Sequence, residues 1–317
     1  MEMNSAPLST HPPLSMNILV TGGAGFIGSH LVEHFRGSAG EIRVLDNLRT
    51  GSKENLRGLR HTFIEGSVTD RETVAKAAEG IDLVFHLAAL VSVEESIAKP
   101  QETVEINVTG LLNVIQAATA AGVRKLVFAS SAAVYGNNPV DPKTEDMLPE
   151  PMSPYAISKL DGEHYLRIAH DPQGMETCSI RFFNVFGPRQ DPNGGYAAAV
   201  PIFLQRAREN KILSIFGDGG QTRDFIYVKD IVNALVFAAT TPLKGTYNAG
   251  YGKQIRVDDL ARTIIGITGS KSTVEHLPAR AGDVRHSRAC VDRLLAAGWE
   301  PRYGLEEALN LTAAGFA

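Results

Sequence analysis

Tyr155 and Lys159 stand four residues apart in the segment SPYAISK (153–159), just past a proline and at the start of a predicted helix. Residues at i and i+4 share one helix face. A phenol there, with an ammonium beside it, could take and return a proton. The same spacing equally describes a packed aromatic and a solvated lysine. The heptapeptide alone leaves both readings open.

A second group lies near the start of the chain. NILVTGGAGFIGSHLVEHF (17–35) reads as a strand, a glycine-rich turn and a helix start. Its glycines satisfy Gly22-x-x-Gly25-x-x-Gly28 and Gly23-x-Gly25-x-x-Gly28 together. Glycine is needed where the turn takes positive φ and where a side chain would bar a pyrophosphate from backbone N–H groups. The next strand ends in Asp46, about twenty residues on, where a carboxylate can accept the ribose hydroxyls of NAD and repel a 2′-phosphate. These features predict dinucleotide binding, with NAD ahead of NADP; Arg49 close by keeps NADP open.

The elements that must position these residues follow an alternating pattern. NILVT (17–21), IRVLD (42–46), HTFIE (61–65), DLVFHLA (82–88), KLVFAS (125–130) and CSIRFFN (178–184) read as buried strands. Helices are expected near 26–37, 70–79, 101–121 and 155–170. Continuous apolar strands separated by helices predict an α/β fold, a Rossmann-type doubly wound parallel sheet. After Asn184 the texture shifts to Gly, Pro and Asn, then to short strands, a helix at 229–242 and a strand at 244–250. The expected division is a disordered tail over 1–15, an NAD-binding domain over 16–184 to which 226–250 returns, and a smaller α+β substrate lobe from 185–225 and 251–317.

Bulk properties narrow the function classes. The 317 residues carry 31 basic and 35 acidic side chains, a net charge of −4, with 44% hydrophobic and 21% charged residues. That balance gives no electrostatic case for nucleic acid or an anionic membrane, and no apolar run approaches the roughly 20 residues that span a bilayer. The first 15 residues lack a signal peptide's charged start and apolar core. Cys178 and Cys290, the only cysteines, are expected as buried thiols in a reducing, cytoplasmic setting. The nine histidines form no ligand constellation, so no metal is expected.

Taken together, TGGAGFIG (21–28), LDN (45–47), FHLAA (85–89), NVTG (107–110), ASSAAVYG (129–136), PYAISK (154–159) and RFFNVFGPR (181–189) resemble the extended short-chain dehydrogenase/reductase family, and within it the nucleotide-sugar 4-epimerases. The motifs run in order from residue 17, and the resemblance extends to about residue 290. It implies that Tyr155 is the catalytic base, Lys159 its partner and a ligand of the nicotinamide ribose, and Ser131 the hydroxyl bridging the sugar oxygen and the tyrosine. Free tyrosine has a pKa of about 10, so a shift of about three units needs roughly 4 kcal/mol of differential stabilisation. Lys159 and the positive nicotinamide ring supply it in a partly desolvated cleft. Where some relatives have a further hydroxyl, this chain has Ala133.

The resemblance implies further contacts. Gly22, Gly25, Phe26, Ile27 and Gly28 hold the pyrophosphate side of NAD; Asp46 and Asn47 the adenosine ribose; Ser67 and Val68 the adenine. Leu87, Ala88 and Asn107 line the cofactor. On the substrate side, Asn184, Arg223 and Arg280 hold a UDP diphosphate, Asp283 the uridine ribose and Phe216 the uracil, with Asn193 and Tyr196 toward the sugar. Core packing or a surface ion pair is the competing account for Leu87, Ala88, Phe216 and the arginines.

Dehydratases carry an acidic pair, and decarboxylases a glutamate, where this chain has Ala132-Ala133. C4 epimerisation remains: hydride out to NAD and back to the other face. Ser287 falls at the family's size gate, where a small residue leaves room for an N-acetyl group. RAGDVRHS (280–287) and RQDPNGGYAAAVP (189–201) most resemble the UDP-GlcNAc/UDP-GalNAc 4-epimerases. A UDP-glucose or UDP-uronate 4-epimerase is the alternative enzyme, and a non-catalytic NAD-binding sensor the alternative of another class. Relatives imply a homodimer through a four-helix bundle, to which the alanine-rich 111–123 could contribute or else face its own sheet.

Overall fold

The computed structural model describes residues 16–37, 40–192, 198–279 and 284–315; the tail expected over 1–15 lies outside them. Six strands come first in the chain: β1 (Ile18–Thr21), β2 (Ile42–Asp46), β3 (Thr62–Glu65), β4 (Leu83–His86), β5 (Lys125–Ser131) and β6 (Glu176–Phe182). Between them run α1 (Phe26–His34), α2 (Arg71–Ala78), α3 (Val93–Ala98), α4 (Pro100–Val104), α5 (Gly110–Ala120) and α6 (Pro154–Gln173). The seventh strand of the sheet comes from far downstream.

That later part contributes β7 (Asn184–Phe186), α7 (Ala199–Arg208), β8 (Leu213–Phe216), β9 (Thr222–Arg223), β10 (Phe225–Tyr227), α8 (Val228–Thr240) and β11 (Gly245–Ala249). It ends with β12 (Ile255–Arg256), α9 (Val257–Thr268), β13 (Val274–Leu277), β14 (His286–Ser287), α10 (Asp292–Ala296) and α11 (Leu305–Ala314). β11 pairs in parallel with β6, giving a seven-stranded sheet of order β3-β2-β1-β4-β5-β6-β11. Strand order reverses between β1 and β4, and the crevice at the carboxyl ends of such a pair is where open α/β sheets bind ligands.

Two apolar layers sandwich the sheet. Leu31, Val32 and Phe35 of the α1 region pack with Ile231, Val232 and Leu235 of α8 on one face. Val74 and Ala77 of α2, Leu111, Val114 and Ala118 of α5 and Leu166 of α6 cover the other. Full burial of each Leu or Val side chain is worth about 1.5–3 kcal/mol, which is why these strands read as continuous apolar runs. A third cluster joins α7, α9 and α11 through Phe203, Leu260 and Leu309.

Three details differ from the sequence reading. HTFIE was expected as a buried strand, but β3 is the outermost strand and Thr62 and Glu65 are exposed; strand order, which the segment does not encode, decides that. The helix expected over 101–121 is interrupted by a π-turn at Glu105–Thr109. Cys178 is buried, whereas Cys290 is half-buried; both thiols are free. The alanine-rich face of α5 lies on its own sheet and on α2.

Candidate active site

The glycine turn connects β1 to α1. Gly22 takes φ +71°, and a Cβ there would sit 2.7 Å from the Ala88 backbone nitrogen; a Cβ on Gly28 would sit 2.2 Å from the Gly22 carbonyl oxygen. Both positions therefore require glycine. Gly25 is the N-cap of α1 and offers no side-chain cap, so the first N–H groups of the helix are left for an anion. Asp46, buried at the end of β2, accepts from the Ala24 N–H at 2.9 Å and the Leu48 N–H at 2.8 Å. A carboxylate has about four acceptor sites, so capacity remains for ribose hydroxyls.

Arg49 does not stand ready for a 2′-phosphate. Its guanidinium donates to Glu95 at 2.6 Å and to Glu102, and the bond to Glu102 and then that to Glu95 raise its pKa. These pairs run from the loop after β2 to α3 and α4, across the rim of the cavity. The residues present fit NAD.

Sequence places Ser131, Tyr155 and Lys159 through local signals. Ser153 caps α6 by accepting from the Ala156 N–H, and Pro154 occupies the first turn where its missing N–H costs nothing. Tyr155 therefore sits in the first turn and Lys159 one turn deeper. Lys159 is fully buried: its Nζ donates to the Ala129 carbonyl at 2.8 Å and lies 4.8 Å from the centre of the Phe128 ring and 5.8 Å from that of Tyr155. Burial pushes its pKa down to about 7. His86 stacks on Phe128 at 5.9 Å and bonds the Thr21 hydroxyl; burial, helped by Lys159, holds it neutral with a pKa of about 3. Ser131 ends β5 and accepts from the Ala133 N–H at 3.1 Å.

One cavity of about 960 Å³ gathers these groups, at the upper end of the usual size for small-molecule sites. Its wall includes Gly22, Gly25, Phe26, Ile27, Gly28, Asp46, Asn47, Ser67, Val68, Leu87 and Ala88 toward one end, and Ser131, Tyr155 and Lys159 at the middle. Asn184, Arg223 and Ser287 line the far side. Arg223 and Ser287 are neighbours in register on β9 and β14, and Asn184 donates to the Asp224 carbonyl through its backbone N–H and its side-chain amide.

Two expected contacts are not part of that wall. Asn107 lies behind it, in the π-turn: its side chain accepts from the Leu90 N–H and donates to the Leu90 carbonyl and the Ser158 hydroxyl. It thus fixes the loop after β4 to α6. Phe216 is half-buried at the end of β8, outside the wall, where the strand pairs with Leu277 of β13. Asn193, Tyr196, Arg280 and Asp283 fall outside the described residues. Sequence reasoning missed Tyr135, Lys143, Arg189 and Gln190, which also line the cavity; all but Lys143 stand in segments singled out above, where other residues drew the reading.

Comparison with known proteins gives a consistent result. The model of the NAD dependent epimerase/dehydratase family matches residues 18–250. The UDP-glucose 4-epimerase of Mycolicibacterium smegmatis is 38% identical over 305 residues, 94% of this chain and 97% of that protein. Among solved structures, the UDP-N-acetylglucosamine 4-epimerase of Methanobrevibacter ruminantium, in complex with UDP-N-acetylmuramic acid, superposes with a TM-score of 0.91 at 37% identity, covering 95% of this chain and 98% of that one. The Thermus thermophilus UDP-glucose 4-epimerase in complex with NAD gives 0.88 at 38% identity, covering 95% and 99%.

Proposed function

The chain belongs to the NAD dependent epimerase/dehydratase family, and from that premise we propose that it interconverts UDP-GlcNAc and UDP-GalNAc at C4. The coarser statement, an NAD-dependent UDP-sugar 4-epimerase, follows from its relatives. The finer one rests on Ser287, a small side chain on the cavity wall beside Arg223.

In this reading Tyr155 takes the proton from the C4 hydroxyl and later returns it to the keto oxygen, while Ser131 holds that oxygen by hydrogen bonding. NAD, held by the glycine turn and Asp46, would supply reversible hydride acceptance at C4. Lys159 favours the phenolate when charged, and its burial keeps water from competing for that charge. Asn184, Arg223 and Arg280 hold the UDP diphosphate, because a guanidinium fork can give two hydrogen bonds to one phosphoryl group, and Asp283 meets the uridine ribose. Residues 185–225 and 251–317 form the substrate lobe.

Proton NMR of purified protein with UDP-GlcNAc and no added cofactor tests the reading. UDP-GalNAc signals are expected. Turnover of UDP-glucose alone would favour the second reading, for which the 38% identity to a UDP-glucose 4-epimerase speaks. Ser287→Tyr should abolish N-acetylhexosamine turnover and spare UDP-glucose; loss of both activities, or of neither, would refute the gate.

The proposed assembly is a homodimer. Ile97 of α3, Val104 of α4 and Ile157 and Ile168 of α6 are 61%, 51%, 47% and 61% exposed, an apolar set a monomer has little reason to leave open. Light scattering should give a dimer for the native chain and a monomer for Ile168→Glu.

A further inference from the structure

We propose that Ser130 and Glu163 are positioning residues for proton transfer, a buried clip that sets Ser131 in register with Tyr155. The proposal rests on the roles given to Ser131 and Tyr155 above; Ser130, like Ser131, is on the cavity wall, and Glu163 lies behind it.

Tyr155, Lys159 and Glu163 fall at i, i+4 and i+8 on α6, a stripe that drifts only slowly around the helix. The second and third members each reach the end of β5. Lys159 donates to the Ala129 carbonyl at 2.8 Å, and Glu163 Oε1 accepts from the Ser130 hydroxyl at 2.5 Å. Ser131 is the next residue. Two successive ties therefore fix the strand end against the helix that carries Tyr155.

The carboxylate is itself held. Arg181 of β6, opposite Ser130 in the β5–β6 register, donates its Nε to Oε1 at 2.8 Å and its Nη2 to Oε2 at 2.7 Å. The two side chains are 4% and 6% exposed. The remaining terminal nitrogen of Arg181 donates to the Tyr135 hydroxyl at 2.8 Å, which in turn donates to Asn248 on β11 at 2.7 Å. The guanidinium also lies 4.8 Å over the Tyr135 ring, which forms part of the cavity wall. Every side-chain polar atom of Arg181 and Glu163 has a partner, and the network is costly to rearrange, because a buried charge left alone is expensive. Its position between the strand end, the catalytic helix and the wall is what a core ion pair alone does not require.

Ser130→Ala in the full-length, NAD-loaded protein removes the tie and leaves the Glu163–Arg181 pair intact. The first readout needs no sugar: the ultraviolet phenolate signal of Tyr155, taken as the difference from Tyr155→Phe, followed against pH. With Ser131 out of register the phenolate loses a donor, and the midpoint should rise by about half a pH unit or more. With UDP-GlcNAc and UDP-glucose, kcat should fall about tenfold at a KM within about twofold of the native value. Glu163→Gln should move both further; if it does not fold, Ser130→Ala still decides. A native midpoint and native kcat in Ser130→Ala would overturn the clip. So would a kcat loss accompanied by an equal KM rise and release of NAD, the pattern of general loosening. Native protein that turns over no UDP-sugar, yet shows the shifted midpoint in the variant, would overturn the proposed function and leave the clip standing.

Discussion

Lys159 shows most plainly how chemistry and stability oppose each other at one residue. Its pKa is pushed from the usual 10.5 to about 7 by burial, so between those values the unfolded chain binds more protons than the native state. Stability consequently rises with pH across that window. Lys159→Met should raise the melting temperature at pH 7, by an amount corresponding to about 2–4 kcal/mol, and the gain should shrink toward pH 10. Turnover in the same variant should fall by about 10²–10⁴-fold. A variant less stable than the native protein at pH 7 would contradict this account. Tyr155, Lys159 and Ser131 were legible in sequence because one helix turn and one strand end bring them together. Asn107 was not, because a π-turn rotates its amide onto Leu90 and Ser158, and nothing in NVTG announces that turn. Phe216 lies outside the cavity wall for a different reason. Its surroundings come from short strands distant in sequence, and an aromatic at a strand end is equally at home outside the cavity.

At the level of elements, the helix boundaries follow the sequence to within about three residues wherever a cap or a turn glycine marks the end. Asp70 caps α2, Ser153 caps α6, and Gly174 at φ +73° ends it. Where pairing order decides, as for the exposed edge strand β3, sequence was silent. The loop after β2 offers a separate test. Arg49 ties it to Glu95 and Glu102 and itself lines the cavity, so these pairs would resist the release of NAD held there. Arg49→Ala should lose NAD severalfold faster on gel filtration, without loss of fold. Because the pairs are partly exposed, high salt should speed release from the native protein and hardly alter the variant. Equal retention in both proteins at both ionic strengths would show that the rim contacts do not hold the cofactor.

Across the whole molecule, the acid limit should be set by buried imidazoles. His86 is held near 3 and His30 near 4, in both cases chiefly by burial, against about 6.5 in the unfolded chain. Below pH 6.5 the native state thus binds fewer protons than the unfolded chain, and stability is lost progressively as pH falls toward about 4 for His30 and about 3 for His86. At pH 5 each histidine costs about 2 kcal/mol relative to pH 7. Urea titrations at the two pH values should show the loss, and His30→Gln should reduce it; an unchanged midpoint between pH 7 and 5 would exclude the mechanism.

The late arrival of β11 has a consequence for how the protein must be made. Its neighbour β6 is complete by Phe182, but Gly245–Ala249 emerges only after the intervening elements have been built. Until then β6, whose middle residues are buried in the finished sheet, presents an unpaired backbone edge, the kind of surface that recruits other chains. During synthesis the cofactor-binding half is therefore an aggregation-prone fragment, although every glycine of its turn is already in place. Translation that pauses between residues 182 and 245 prolongs that exposure, and the nascent chain becomes safe only once its last parallel strand has docked.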